Sequence, residues 1–330
     1  MSSSQRTEVG RYKWIDDWIV VPDTAGARAN GRTHGVVVSA DGRILIFHQA
    51  TPAVLVYSGK GTLLASWGDY PGAHGMALVE EDGVEYLWLT DQERCTVVKT
   101  TLNGEVVATL PPPPLVHPAY REKRYVPTWV AVNETRIGGN GDVWVADGYG
   151  AHVVHGFDRH GNHLHTLDGT EGAGRYRFPH GVWFGLRQGS PQLYVADRSN
   201  ARVQIYDPEG NFVRCFGEGF LTNPDMFSAC GDLMLVPELR ARLTLLDADD
   251  RPIARIGAND AVAREPGWPN DRRLLEAGKF NSPHAAAADA HGNIYVVEWI
   301  TGGRVVKLEK LPADPDDNGP RNAARLHPQS

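Results

Sequence analysis

Apolar residues in this chain fall in short runs, often alternating with polar ones, and Gly, Asp and Asn separate the runs. That alternation predicts half-buried β-strands joined by tight turns. Segments such as LYVADR and VWVADG are short and rich in β-branched and aromatic residues, as strands should be. One pattern recurs along the chain: an apolar strand, a Gly/Asp turn, a second strand ending in an acidic residue, a third strand, a turn with Gly, and a fourth strand. The repeats open at His34 (HGVVV), His74 (HGMALV), Thr128 (TWVAV), His180 (HGVWF), Asp225 (DMFSAC) and His284 (HAAAAD), with start-to-start spacings of 40, 54, 52, 45 and 59 residues. Asp41-Gly42, Asn103-Gly104, His160-Gly161-Asn162, Glu209-Gly210-Asn211 and His291-Gly292-Asn293 supply residues that tolerate positive φ at the hairpins.

A four-stranded unit of this size cannot bury both of its faces alone, whereas a closed ring of units can. The expected fold is therefore all-β, a six-bladed β-propeller with four-stranded blades. The sixth repeat ends at Leu311 with three evident strands. Residues 12–21 (YKWIDDWIVV) read as a strand that supplies the fourth and closes the ring without a covalent link. Residues 1–311 are expected to form one domain, and 312–330 a disordered tail with little to bury.

Composition adds exclusions. The chain has 330 residues, with 36 Gly and 22 Pro spread along it, as a turn-rich β-protein requires. No stretch approaches 18 consecutive apolar residues, so no membrane span is expected. Asp16 and Asp17 interrupt the place where a signal peptide needs an apolar core, which suggests an unprocessed, cytoplasmic chain. Three cysteines (Cys95, Cys215, Cys230) are too few and too scattered for a disulfide framework or a Cys-based zinc site. A net charge of −7 without a basic run argues against nucleic acid as a partner and leaves a small-molecule substrate.

Strand parity places the start of each first strand, the turn after each second strand and the inter-blade loops at one mouth of the ring. His74, His180 and His284 open alternate blades, so a pseudo-three-fold axis would aim their imidazoles at one point. Three histidines and an open position suit a catalytic divalent ion, with zinc as the first expectation. The plainer alternative is a set of water-binding channel residues. His34 and Asp225 open further blades, and with Gln49 after a second strand they are candidate substrate contacts. Tyr149 and Arg198 follow second strands as a candidate proton carrier and anion holder, though a channel-wall phenol and a surface arginine read equally well. Asp91, Asp147 and Asp197 recur at one point of each blade and are expected to bond turn backbone. The second histidine group, His152, His155, His160, His163 and His165, is expected to be a solvated surface, with His152 and His155 on opposite faces of a strand. The long connections 111–127 and 258–283 are candidate lids, with Tyr120, Arg121, Tyr125, Trp268 and Arg272 as possible contacts and a short helix at 271–278.

The blade pattern, with GRYRFPHGV leading into VADRSNARVQIYDPEGNFVRCFG, resembles the NHL-repeat propellers. More narrowly, it is similar to the peptidyl-α-hydroxyglycine α-amidating lyases over nearly the whole repeat region. The resemblance implies a zinc site at His74, His180 and His284, a catalytic tyrosine at Tyr149 in VADGY, and a substrate-contacting arginine at Arg198 in VADR. Two positions depart from that pattern. Gln49 stands where the family has a catalytic arginine, for which Arg32 or Arg272 could substitute, and Ala285 stands where it has an acidic calcium ligand, which makes a structural calcium doubtful. His34 is an addition, either a fourth ligand or an acid/base group. The implied activity is a metal-dependent lyase cleaving a C–N or C–O bond of a small polar hydroxylated substrate. A non-catalytic protein-interaction platform and a metal-dependent hydrolase are the alternatives.

Overall fold

The computed structural model describes residues 4–7, 10–187 and 189–312. Among them, six antiparallel sheets form the blades of a propeller. Five sheets have four strands and take their strands in sequence order from the axis outward, beginning with Thr33–Val38, Ala73–Glu81, Trp129–Val132, Pro179–Arg187 and Ser228–Cys230. The hairpin glycines expected from the sequence adopt positive φ: Gly42, Gly104, Gly161, Gly210 and Gly292 lie between 78° and 92°. No helix of the described residues is long and apolar enough to cross a membrane.

The sixth sheet holds Pro283–Ala288, Ile294–Glu298 and Arg304–Lys310, and Gly10–Ile15 pairs with the last of these. The ring is thus closed by the N-terminal strand. That strand stops at Ile15 rather than running to residue 21, because Asp17 takes a positive φ of 44° and Asp16 is drawn into a turn. Asp16 Oδ1 accepts from Trp14 Nε1 (2.7 Å) and from Arg304 Nη2 (2.5 Å). A further strand, Ser4–Thr7, pairs outside it and makes this sheet five-stranded. Tyr12 and Trp14 are buried at the seam, with Trp14 4.6 Å from Phe280 by ring centroid. Residues 313–330, most of the expected tail, lie outside the described residues.

Candidate functional site: a buried imidazole cluster at one mouth of the ring

Each histidine that opens a blade sits on an irregularity between first and second strands. The pairing register shifts between Thr33 and Gly35, Ala73 and Met76, Pro179 and Val182, and Pro283 and Ala285. A bulge frees its residue from the ladder and re-aims the side chain, and here it points His34, His74, His180 and His284 toward the axis. Glycine follows three of these histidines because the next blade comes too close for a side chain, a Cβ on Gly35 lying 2.6 Å from that of Met76. A Cβ on Gly75 would lie 2.5 Å from the Thr128 carbonyl oxygen, and one on Gly181 2.3 Å from that of Asp225. The same two carbonyls hold the rings: Nδ1 of His74 lies 2.8 Å from the Thr128 oxygen, and Nδ1 of His180 2.9 Å from the Asp225 oxygen. His284 Nδ1 makes the equivalent 2.8 Å contact with the His34 oxygen across the ring seam. A carbonyl only accepts, so these nitrogens carry the protons and Nε2 keeps its lone pair.

All four imidazoles are at most 2% exposed, and His34 and His180 each stand close to His74 and His284. Ring centroids of His74, His180 and His284 are separated by 4.8, 4.8 and 4.9 Å, and His34 stands 4.7 Å from His74 and 4.6 Å from His284. Burial lowers all four basicities, His74 to about 3, so the rings are neutral and able to donate electron pairs. Donor atoms of His34, His74 and His284 lie within 4.8 Å of one another, as do those of His180, Asp225 and His284. The expected trio therefore divides between two overlapping sets, with His284 common to both. Two ligands at roughly 2.1 Å from one ion can stand at most about 4.2 Å apart, so either set is within a small side-chain shift of a binding geometry. His284 Nε2 and Asp225 Oδ2 are buried without a hydrogen-bond partner among the described residues. Orphaned polar atoms facing a cluster of neutral imidazoles fit a divalent cation.

Tyr149 lies directly against this cluster, its hydroxyl 3.2 Å from Nε2 of both His74 and His180. Burial raises its pKa while Arg198 pulls the other way, and the single phenolic proton can serve only one of the two nitrogens at a time. Arg198 stands with its guanidinium carbon 5.5 Å from the Tyr149 ring centroid and donates to Asp225 Oδ1 at 3.1 Å. Burial pushes the Asp225 carboxyl up to about 7 against the opposing pull of Arg198. Gln49 is buried, and its backbone N–H donates to the Arg32 carbonyl at 2.9 Å. Arg32 lies over the Trp299 ring at 5.3 Å, and Trp268 is 6.4 Å from Trp299.

The acidic residues that end the second strands hold turns, as their recurrence suggested. Asp91 Oδ1 accepts from the Glu93 and Arg94 amides (2.9 and 2.8 Å), Asp147 from Val126 N (2.7 Å), and Asp197 from Arg177 N (2.7 Å). The second histidine group departs from its expected solvated surface. His152 precedes its strand in a turn with φ 60°, and His155 is fully buried, bonded to the Tyr120 hydroxyl (2.7 Å) and Thr166 Oγ1 (3.1 Å). The same Tyr120 hydroxyl donates to Asp147 Oδ2 at 2.5 Å. Segment 111–127 is thereby docked onto the third blade, with Tyr120 and Tyr125 in its core and Arg121 exposed. In segment 258–283 the expected helix is one 3-10 turn, Arg272–Leu274, and Arg272 contacts the Gly303 oxygen (3.3 Å).

Sequence reasoning missed Trp129 and Phe178. Trp129 follows a blade opener, is 2% exposed, and lies 6.1 to 6.4 Å from the rings of His284, His180 and His74. It separates the imidazoles from a cavity of about 650 Å³ at the other end of the channel, lined by residues such as Val36, Met76, Val182 and Ala287. None of the four histidines lines that cavity, whose ionisable residues are Glu134, Arg136, Arg187 and Asp232, so it is not the imidazole site. Phe178 takes a positive φ of 55°, unusual for a bulky residue, and sits 6.4 Å from Tyr149.

Fold and site together define a six-bladed β-propeller with a buried four-imidazole cluster at one mouth. The chain is similar to human NHL repeat-containing protein 3, at 26% identity over 317 residues covering 89% of this chain and 83% of that protein. No protein-family profile matches it. Among solved structures, a Xanthomonas campestris gluconolactonase superimposes with TM-score 0.63 at 12% identity, over 94% of this chain and 95% of that one. A streptogramin B lyase gives 0.59 at 11% identity, over 91% and 98% respectively. At such identities the structural likenesses show the fold alone.

Proposed function

We propose that the protein is a metal-dependent lyase acting on a small polar hydroxylated substrate, with His74, His180 and His284 holding a divalent ion, zinc in the first instance. The observation that carries this reading is the shared restraint of three Nδ1 atoms by backbone carbonyls, which leaves Nε2 of each ring to act as a ligand. A protein-interaction platform has no use for buried, pre-aimed lone pairs. The fold is used by a streptogramin B lyase and by a gluconolactonase, so it accommodates both eliminative and hydrolytic chemistry. When bound, such an ion supplies Lewis acidity to a substrate oxygen. Tyr149, whose hydroxyl points at the nitrogens of His74 and His180, holds the proton to be moved at its Oη. Arg198, fixed by Asp225, and Arg32, beside Gln49, are the cations that orient a substrate carboxylate. Arg32 thus stands near the position where the amidating lyases carry an arginine and this chain carries Gln49.

For an N-acyl-α-hydroxyglycine the bonds balance as follows. The hydroxyl loses its proton, the C–O bond becomes a carbonyl, the C–N bond breaks, and the departing amide nitrogen takes a proton. The products are an amide and glyoxylate. One observation favours a hydrolytic variant: Asp225 joins His180 and His284 in a donor set that contains a carboxylate.

The test begins with protein purified without added metal, elemental analysis, and glyoxylate release from an N-acyl-α-hydroxyglycine. Wild type should carry near-stoichiometric metal, His74→Ala and His180→Ala should lose it, and Tyr149→Phe should keep the metal but lose turnover. Metal content unchanged in both histidine variants would return the protein to the platform reading. Metal-loaded protein inert toward the hydroxyglycine but active on a lactone would favour hydrolysis.

A further inference from the structure

We propose that His34 is a ligand of the same ion, so that the centre is built from four imidazoles rather than three. The inference rests on the metal reading above and reassigns His34 from substrate contact to ion binding. The three odd-numbered blades open with His34, Thr128 and Asp225, and each lends a main-chain carbonyl to a histidine of the even-numbered blade packed against it. Their side chains have different fates. Thr128 Oγ1 is engaged by the His180 oxygen at 2.8 Å, and Asp225 is paired with Arg198. His34 and Asp225 each keep a donor atom: His34 Nδ1 makes a long 3.3 Å contact to the Arg32 oxygen while its Nε2 has no hydrogen bond among the described residues, and Asp225 Oδ2 is likewise unpartnered there.

Position agrees with availability. His34 is 2% exposed, its ring is as near to His74 and His284 as those rings are to each other, and its donor atom joins theirs within 4.8 Å. Without a ligand the buried Nε2 of His284 and Oδ2 of Asp225 have no partner among the described residues, at about 1–3 kcal/mol each. One cation satisfies them together. Four neutral imidazoles carry no charge of their own, so the Asp225 carboxylate or an anionic substrate group balances the ion's double charge. They fill a tetrahedral shell, so a reactive centre of this kind needs an ion that accepts a fifth ligand.

The test is zinc titration of metal-free protein against a competing chelating indicator, in wild type, His34→Ala, His34→Gln, His74→Ala and His284→Ala. Thermal melts of each metal-free variant check that the ring is intact. A visible absorption spectrum of the cobalt-substituted protein reads the ligand field directly. Loss of zinc affinity by tenfold or more in both His34 variants, with a changed cobalt spectrum and unchanged metal-free melting, supports the proposal. Unaltered affinity and spectrum in the His34 variants, while His74→Ala and His284→Ala fail to bind, overturns it and leaves the three-histidine site standing. If wild type itself takes up no zinc or cobalt, the metal reading falls and this one with it.

Discussion

Lowering the pH should destabilise this propeller through His155. The ring is fully buried between Tyr120, Thr166 and His163, and burial holds its pKa at about 3. An unfolded histidine titrates near 6.5, so below that value the unfolded chain takes up a proton that the folded one refuses. The stabilisation is complete above about 6.5 and is lost as pH falls toward 3. Between pH 7.5 and pH 5 the loss comes to about 2 kcal/mol for this residue. His155→Gln removes the titration and forfeits part of the Tyr120 and Thr166 bonding, costing about 1–3 kcal/mol at pH 7.5. Urea unfolding of wild type and His155→Gln at pH 7.5, 6 and 5, with chelator present, isolates the effect, because every other buried histidine titrates alike in both. The wild-type advantage should shrink by about 2 kcal/mol at pH 5. An advantage that stays constant across this range would mean that His155 is solvated, and the docking of segment 111–127 would need another explanation.

Trp14→Ala should cost about 3–5 kcal/mol in urea unfolding, since it empties the seam between the N-terminal strand and Phe280; a cost under about 1 kcal/mol would remove the clasp from the account of ring closure. Arg198→Met should cost about 3–5 kcal/mol by stranding buried Asp225, and adding Asp225→Asn should recover most of it; additive losses in that double-mutant cycle would refute the pairing. Gly75→Ala would place a Cβ 2.5 Å from the Thr128 oxygen that holds His74. It should reduce the metal content of the purified protein with all four histidines intact, and unchanged content would disconnect the bulge from the site.

The ring was legible because its signal is periodic. Six openings, five acidic strand ends and recurring Gly turns repeat one local choice, and the structure places them as parity requires. The gathering of His74, His180 and His284 at one mouth was legible for the same reason, since position within a repeat determines position around an axis. Singular features were not. Nothing local distinguishes His155 from His163 or His165, and its burial depends on Tyr120, 35 residues away, filling the space beside it. The docking of 111–127 onto the third blade rests on the same contact. Trp129 looked like any strand aromatic because its role as a floor depends on five other blades. The last turn of the closing strand was misjudged because Asp16 pairs with Arg304, 288 residues along the chain.

Ring closure and site assembly are one event in this architecture. His284 belongs to the last blade and His34 to the first, and the bond from His284 Nδ1 to the His34 oxygen crosses the seam that Gly10–Ile15 fastens on the outer side. A propeller whose clasp has opened lets these two blades part, which releases the ring of His284 from its carbonyl and separates it from both donor sets that share it. The outer strand, remote from any chemistry, thereby controls the distance between imidazoles at the axis. Conversely, an ion held between blades would cross-link the ring and oppose opening where the pairing of Gly10–Ile15 with Arg304–Lys310 closes it. Metal binding should therefore raise the melting temperature more in Trp14→Ala than in wild type if the weakened seam opens before the blades unfold. Equal shifts would mean that the blades unfold together and that the clasp contributes stability without governing the site.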